Sequence, residues 1–240
     1  WGEGGGLQRV LDHEGLPYVG CTAAAAELCI DKMRTKQVLQ TAGLPTPCCE
    51  LIDAESYPTL KPPLVLKPND DGSSIDLAIC HDAHQVRTAW QELSSRNPKL
   101  LVEQFVKGKE LTVGVIDRPA GEAGGAMALP PIEIIATTAF YDYQAKYCRD
   151  DTRYLFDIDL PQRVLDQVKQ MGRFAHVAVG ARHLSRADFM VDEHNQTWLI
   201  EINTIPGFTA HSLLPMAARR QGITMPQLVD RLARLAMDRQ

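Results

Sequence analysis

The sequence predicts an α+β fold in which most of the sheet is antiparallel. Two observations support this class. Several segments place apolar residues at helical spacing, and other apolar runs have the length of a strand and follow one another across short polar turns. Composition adds that the chain packs as a globular protein, because 45% of the 240 residues are apolar and 23% are charged. At about 150 residues per domain this length gives one or two domains, and we expect two small lobes.

The helical segments begin and end at capping residues. Residues 22–42 are rich in helix formers and stop at Gly43, as one helix or as two joined near Asp31. Asp82 is the expected N-cap of another helix. Further helices are expected over residues 7–15 and 161–179. The C-terminal tail is expected to hold two more, one that ends at Gly222 and one that begins at Thr224 with Pro226 in its first turn.

The strand-like runs lie between these helices. They cover residues 64–67, 77–80, 101–106, 111–116, 132–135, 187–191 and 198–202. The segment 107–109 between two of them predicts a β-hairpin, and 118–126 predicts an exposed hairpin tip. Residues 139–158 form a long aromatic and charged loop, and loops of that length in compact domains are usually functional.

Charge and cysteine content exclude several classes of function. Lys and Arg number 25 against 30 Asp and Glu, a net charge of -5, so no general affinity for nucleic acid or anionic lipid is expected. The six cysteines form no CxxC pair and are typical of reduced thiols. We expect neither a signal peptide nor a membrane span of about 18 apolar residues. The predicted protein is cytoplasmic, with no nucleic-acid or membrane partner.

The last two predicted strands place polar side chains on one face of a hairpin. If residues 192–196 form the turn, Asp188 lies opposite Glu201 and Arg186 lies opposite Asn203. Two facing carboxylates repel unless a positive group lies between them. Carboxylate and amide oxygens suit Mg²⁺. Geometry alone leaves open a surface hairpin with scattered charges.

Known phosphate-binding motifs are absent, but one turn could replace them. The chain contains no GxxxxGK[ST] motif, and Leu7 occupies the position of the third glycine of GxGxxG. Lys67 at a strand end precedes Asp71-Gly72-Ser73-Ser74, a turn whose hydroxyl and backbone N–H groups could close over phosphates. Taken alone, this segment is more typical of a surface hairpin.

Three lysines and two glutamates are further candidates. Lys32 and Lys36 lie on a predicted helix and Lys146 lies in the aromatic loop; singly, each is more typical of a solvated charge. Glu103 and Glu110 flank segment 107–109, where backbone groups could hold a nucleotide base and a carboxylate could bind ribose hydroxyls. A solvated turn is the alternative for this pair.

Eight segments in order carry a resemblance to a known family. They are LPYVG (16–20), DKMRTK (31–36), AGLPTP (42–47), LKPNDDGSS (66–74), EQFVKGKELTV (103–113), FYDYQAKY (140–147), SRADFM (185–190) and EINTIPGFTAHSLLPMAA (201–218). Over nearly its whole length the chain resembles the ATP-grasp ligases and, within them, the D-alanine–D-alanine ligase family. The resemblance implies an ATP-grasp fold, in which two α+β lobes with mostly antiparallel sheets grip ATP between them.

The resemblance also implies roles for individual residues. The implied ATP contacts are phosphate binding by Lys32, Lys67, Ser73, Ser74 and Lys146, base binding by Glu103, Phe105, Val106, Met190 and Ile200, and ribose binding by Glu110. The implied ligands of two Mg²⁺ ions, with Mn²⁺ as an alternative metal, are Asp188, Glu201 and Asn203. The implied catalytic and substrate-binding residues are Arg186 and Gly207 at the oxyanion, Ser212 and Leu213 at the acceptor carboxylate, and Tyr147 with Ser73 in selecting an amine acceptor.

The reaction implied by the resemblance joins two D-alanines at the expense of ATP, through an acyl phosphate, and supplies dipeptide for peptidoglycan. Loop closure over the site would keep water from the acyl phosphate. The implied partners are D-alanine and ATP, and a homodimer is expected because the family is commonly dimeric. Two alternatives stay open: an ATP-grasp carboxylate–amine ligase with other substrates, and a fragment or paralogue that binds Mg-ATP without ligating anything.

Three segments follow from the resemblance, and two residues depart from it. Residues 1–30 correspond to a remnant of an N-terminal domain and a connecting helix, 31–105 to a central lobe, and 106–240 to a C-terminal lobe with the metal site. Gly4 stands where an acidic residue is usual, so a carboxylate for the first D-alanine is expected to be missing. Asp76 stands where glycine is usual and is expected to place negative charge near the ATP phosphates.

Overall fold

The computed structural model describes residues 2–71, 76–119, 125–135 and 152–238. Their α+β arrangement confirms the predicted class, and every strand pair among them is antiparallel. The helices are α1 Gly6–His13, α2 Ala23–Ile30, α3 Lys32–Thr41, α4 Ala83–Ser94, α5 Gln162–Ala178, α6 Leu213–Arg220 and α7 Met225–Met237. The strands are β1 Cys49–Asp53, β2 Leu64–Pro68, β3 Ala78–Cys80, β4 Lys99–Gln104, β5 Gly108–Asp117, β6 Ala126–Ala128, β7 Ile132–Ile135, β8 Arg153–Leu155, β9 Leu184–Asp192 and β10 Thr197–Asn203.

A four-stranded sheet in the order β1-β4-β2-β3 forms the first layer. Helix α4 covers it, with Val86 and Leu93 packed in one buried cluster with Leu64 and Val102. Asp82 caps this helix as predicted, because its carboxylate accepts a hydrogen bond from the Gln85 N–H.

A six-stranded sheet forms the second layer, in the order β10-β9-β5-β7-β8 with β6 paired to β5. Helix α5 packs on one face, where Val168 contributes to the same buried cluster as Phe189 and Leu199. Helices α6 and α7 form a separate cluster with Ile116 and Leu129. No helix in the described ranges is long and apolar enough to cross a membrane.

The hairpin predicted at residues 107–109 is wrong. Strand β4 pairs within the first sheet and β5 within the second, so this connection carries the chain from one sheet to the other. The close approach of Gly108 to β9 explains why the chain can enter the second sheet here. A Cβ atom at Gly108 would lie 2.0 Å from the Val191 carbonyl oxygen, which only glycine avoids.

The structure also defines the helix boundary near Asp31 and shows a strand within the predicted loop 139–158. Residues 22–42 form two helices, because Asp31 adopts extended backbone and its side chain caps α3 by accepting from the Arg34 N–H. The predicted loop 139–158 is partly wrong, since β8 lies within it and pairs with β7; three residues are too short a run to show a strand period. Residues 139–151 of that loop lie outside the described ranges.

We expect Gly108→Ala to destabilise the protein by at least about 3 kcal/mol, the upper end for overpacked sites, because the new methyl group meets backbone rather than a movable side chain. Urea unfolding measures the change in free energy. Gly4→Ala is the matched control, since no atom lies within 4 Å of a Cβ atom there. Equal stability of the two variants would contradict the close approach of β5 to β9.

Candidate active site

A cavity of about 960 Å³ is lined by residues of both sheets, near the upper end of the volume range for small-molecule sites. Every predicted site residue in the described ranges lines it: Lys32, Lys67, Glu103, Phe105, Val106, Glu110, Arg186, Asp188, Met190, Ile200, Glu201, Asn203, Gly207, Ser212 and Leu213. Ser73, Ser74, Lys146 and Tyr147 lie outside the described residues. The structure therefore brings the candidates together, while the role of each stays a prediction.

The β9–β10 hairpin has the predicted register at its functional end. Glu201 pairs with Asp188 and Asn203 pairs with Arg186. Toward the turn the register shifts by one residue, with a bulge between Leu199 and Glu201. A bulge lets two consecutive side chains lie on one side of a strand. As a result, Ile200 and Glu201 both line the cavity, whereas Leu199 is buried in the core.

Asp188 is already paired with a positive side chain of this protein. Nε and one terminal nitrogen of Arg186 donate to the two oxygens of Asp188, at 2.9 and 2.8 Å. The Thr112 hydroxyl, from the neighbouring β5, donates to the same carboxylate at 2.6 Å. Such bidentate pairing fixes the orientation of both side chains. Thr112 carried no signal in the sequence, because its position beside Asp188 depends on the β5–β9 pairing.

Glu201 and Asn203 are the more available oxygen ligands. Within the described ranges no residue donates a hydrogen bond to the Glu201 carboxylate, and this carboxylate interacts electrostatically with Lys32 and Lys67. The amide oxygen of Asn203 accepts one hydrogen bond, from the Ile205 N–H, and a carbonyl oxygen can accept two. Burial lowers the pKa of Lys32, against the opposing charge of Glu201.

These three side chains fit Mg²⁺ that arrives with a phosphate ligand. Mg²⁺ in such sites is bound by one or two carboxylates together with substrate phosphates and water. The β9–β10 hairpin offers two carboxylates and an amide. The described ranges contain no group of three or more His, Cys, Asp or Glu that would form a complete metal cage. Two carboxylates and one amide would leave the remaining coordination positions of Mg²⁺ to phosphate oxygens and water.

A buried charge cluster lies at another part of the cavity, which two of its members, Lys67 and Glu103, line. Lys67 donates to one oxygen of Glu103 at 2.6 Å, and Nζ of Lys36 lies 2.7 Å from the other. Burial by itself would raise the pKa of Glu103, but the charges of Lys67 and Lys36 outweigh it and lower the pKa to about 2. The prediction of Lys36 as a solvated charge is wrong, since its side chain is 1% exposed.

The structure shows where the two residues that depart from the family pattern, Asp76 and Gly4, lie relative to the cavity. Asp76 has a φ of 56°, a left-handed conformation that favours glycine. Its carboxylate pairs with Arg96 and Asn97 beyond α4, at 3.3 and 3.2 Å, and Asp76 is not among the cavity-lining residues. Glu3, beside Gly4, does line the cavity, so a carboxylate stands at this wall.

A further ion pair on the cavity wall was not predicted. Nζ of Lys109 lies 2.7 Å from a carboxylate oxygen of Glu133. The two residues are on the neighbouring strands β5 and β7, and both line the cavity. Their proximity depends on sheet pairing that a single sequence does not reveal.

We expect acid to weaken the fold through Glu103. Its pKa is about 2 when folded against an ordinary value of 4.5, so its contribution is complete above about pH 5 and is lost as the pH falls toward 2. The loss is on the order of 3 kcal/mol. Urea unfolding at a series of pH values should show a shallower acid slope in Glu103→Gln than in the exposed control Glu193→Gln. Equal slopes would contradict the ionised buried carboxylate.

Comparison with known proteins agrees with this geometry. The family described as "D-ala D-ala ligase C-terminus" matches residues 37–234. A D-alanine–D-alanine ligase of Bordetella avium is 42% identical over 236 residues, which cover 95% of this chain and 72% of the relative. One of Ectopseudomonas mendocina is 41% identical, with the same coverage of both chains.

Solved structures share the fold. A D-alanine–D-alanine ligase of Bacillus anthracis complexed with ATP has a TM-score of 0.82 at 26% identity, covering 99% of this chain and 76% of the other. The VanG D-Ala:D-Ser ligase of Enterococcus faecalis has a TM-score of 0.84 at 26% identity, covering 98% and 69%. With the match spanning most of its length and its cavity lined by the family's motifs, the chain belongs to the D-alanine–D-alanine ligases, a family of ATP-dependent ligases.

Proposed function

We propose that this chain catalyses the ATP- and Mg²⁺-dependent joining of two D-alanines to D-alanyl-D-alanine through an acyl phosphate, in the cytoplasm, for peptidoglycan synthesis. The observation that carries the proposal is that Asp188, Glu201 and Asn203 of the β9–β10 hairpin line the same cavity as the Lys67–Glu103 pair. ATP and Mg²⁺ would supply the transferred phosphoryl group and neutralise its charge. The small-molecule partners are D-alanine and ATP, and we expect a homodimer.

The nucleotide would lie with its base against the connection between the sheets. Glu103 can accept a hydrogen bond from an exocyclic amino group, and Met190 and Ile200 supply apolar surface for the ring. The Phe105 N–H is already used, because it donates to the Pro63 carbonyl at 3.0 Å. Lys67 and Lys32 extend the binding surface toward the phosphates, and Glu110 would bind ribose hydroxyls.

The acceptor D-alanine would bind at the start of α6. Ser212 is the N-cap of this helix and Leu213 its first residue, and the Ser212 side chain makes no capping hydrogen bond to the first turn. Helix N-termini of this kind bind carboxylates. A Cβ atom at Gly207 would lie 2.9 Å from the Ser212 Oγ, so glycine leaves room beside this hydroxyl.

Chemistry at the carboxyl carbon would depend on positioned positive charge. Phosphorylation turns a poor electrophile into an acyl phosphate, and attack by the second amino group then expels phosphate. Arg186 is held rigidly by Asp188, so its guanidinium is oriented in advance toward developing negative charge. The chain thus contributes orientation and charge stabilisation.

Phosphate release from ATP with Mg²⁺ tests the proposal. We expect release to require D-alanine and to be accompanied by dipeptide. D-serine belongs in the assay because one structural neighbour is described as a D-Ala:D-Ser ligase. Release with only another amino acid would indicate a ligase with other substrates, and ATP binding with no release would indicate a non-catalytic nucleotide-binding protein.

We expect Glu201→Gln to lower turnover at least about 100-fold, because an amide is a far weaker Mg²⁺ ligand than a carboxylate. Its fold should persist, since no described residue donates a hydrogen bond to the Glu201 carboxylate. Steady-state phosphate release and circular dichroism check the two points. Glu193→Gln, in the exposed hairpin turn, is the control. A fully active Glu201→Gln would exclude Glu201 as a metal ligand.

A further inference from the structure

We infer that Lys36, which does not line the cavity, is a positioning residue that makes the base pocket prefer a 6-amino purine over a 6-oxo purine. It would act through Glu103, whose carboxylate it holds from behind. The inference rests on the proposed function in one respect, that Glu103 faces the purine ring.

The contacts separate the roles of the two lysines. Lys67 and Glu103 line the cavity, whereas Lys36 does not. Each lysine pairs with a different oxygen of the Glu103 carboxylate, Lys67 with Oε1 and Lys36 with Oε2. Among the described residues that line the cavity, Glu103 is the one that pairs with Lys36, so we infer that Lys36 influences a bound base through Glu103.

The two lysines share the neutralisation of Glu103. Lys67 also interacts with the charge of Glu201, so its charge is divided between two carboxylates. Lys36 adds a second ammonium in a position closed to solvent, and its Nζ lies 2.7 Å from Oε2 of Glu103. Both oxygens of Glu103 are therefore held by a cation.

Two cations on one carboxylate restrict what it can recognise. They keep Glu103 ionised, and an ionised carboxylate accepts hydrogen bonds but donates none. The 6-amino group of adenine is a donor, whereas the 6-oxo group of hypoxanthine is an acceptor that the carboxylate repels. Without Lys36, the carboxylate would be free to turn on its side chain and would take up a proton more readily. Both changes would weaken adenine binding and reduce the rejection of hypoxanthine.

Nucleotide affinity without D-alanine is the test. We would compare Lys36→Met with Lys99→Met, which replaces an exposed lysine on the same strand as Glu103. Isothermal titration calorimetry with Mg²⁺ gives Kd for ATP and for ITP. We expect Lys36→Met to bind ATP about tenfold more weakly and to change ITP affinity by less than about threefold, whereas Lys99→Met leaves both unchanged. An unchanged ratio of the two Kd values in Lys36→Met would overturn the inference.

Two further measurements separate positioning from a merely structural role. Because Lys67 still pairs with Glu103 in Lys36→Met, the variant should remain folded under the conditions of the titration. A large fall in its midpoint of urea unfolding with an unchanged Kd ratio would make Lys36 structural and overturn the inference. The ATP/ITP ratio of Lys36→Met/Glu103→Gln should equal that of Glu103→Gln alone. Further loss in the double variant would show that Lys36 acts by another route and would overturn the inference.

The design distinguishes this inference from the proposed reaction. A chain that prefers ATP through Lys36 but releases no phosphate with D-alanine would support the inference and contradict the reaction. A wild-type chain that binds ATP and ITP equally would overturn the inference even if it makes dipeptide.

Discussion

Hydrogen bonding along both edges of β9 is the constraint on which the candidate site depends. Asp188 lies between Thr112 of β5 and Glu201 of β10. A slip of β10 would separate the oxygen ligands, and a slip of β5 would remove the Thr112 hydrogen bond to Asp188. Register is strongly specified where one face of a sheet is buried, and Phe189 and Leu199 bury the opposite face here. The core thus fixes the spacing of the polar groups on the other side.

Charge is balanced differently in the two halves of the cavity. On the β9–β10 hairpin, Arg186 neutralises Asp188, so Glu201 is the available carboxylate. At the first sheet, Lys67 of β2 and Lys36 of α3 both pair with Glu103 of β4. This combination suits an elongated ligand that carries a metal-bound polyphosphate at one end and a hydrogen-bond donor at the other. The two kinds of charged group come from different sheets, so both sheets contribute to the cavity.

Local features were predictable from the sequence, and features that depend on sheet pairing were not. The caps of α3 and α4 and the pairing of Asp188 with Glu201 follow from residue type and alternation. The bulge that places Ile200 beside Glu201, and the burial of Lys36, depend on contacts between distant segments. The error at residues 107–109 has the same origin, because a short polar connection looks alike whether it joins two strands of one sheet or leads from one sheet to another.

An isotope experiment tests the central claim, that this cavity activates a carboxylate by phosphorylation. D-alanine labelled with ¹⁸O in its carboxyl group is incubated with the protein, ATP and Mg²⁺, and the released phosphate is analysed by mass spectrometry. If an acyl phosphate forms, its expulsion carries one carboxyl oxygen into each phosphate. We expect one ¹⁸O per phosphate released. Phosphate without label, in the presence of dipeptide formation, would contradict the account.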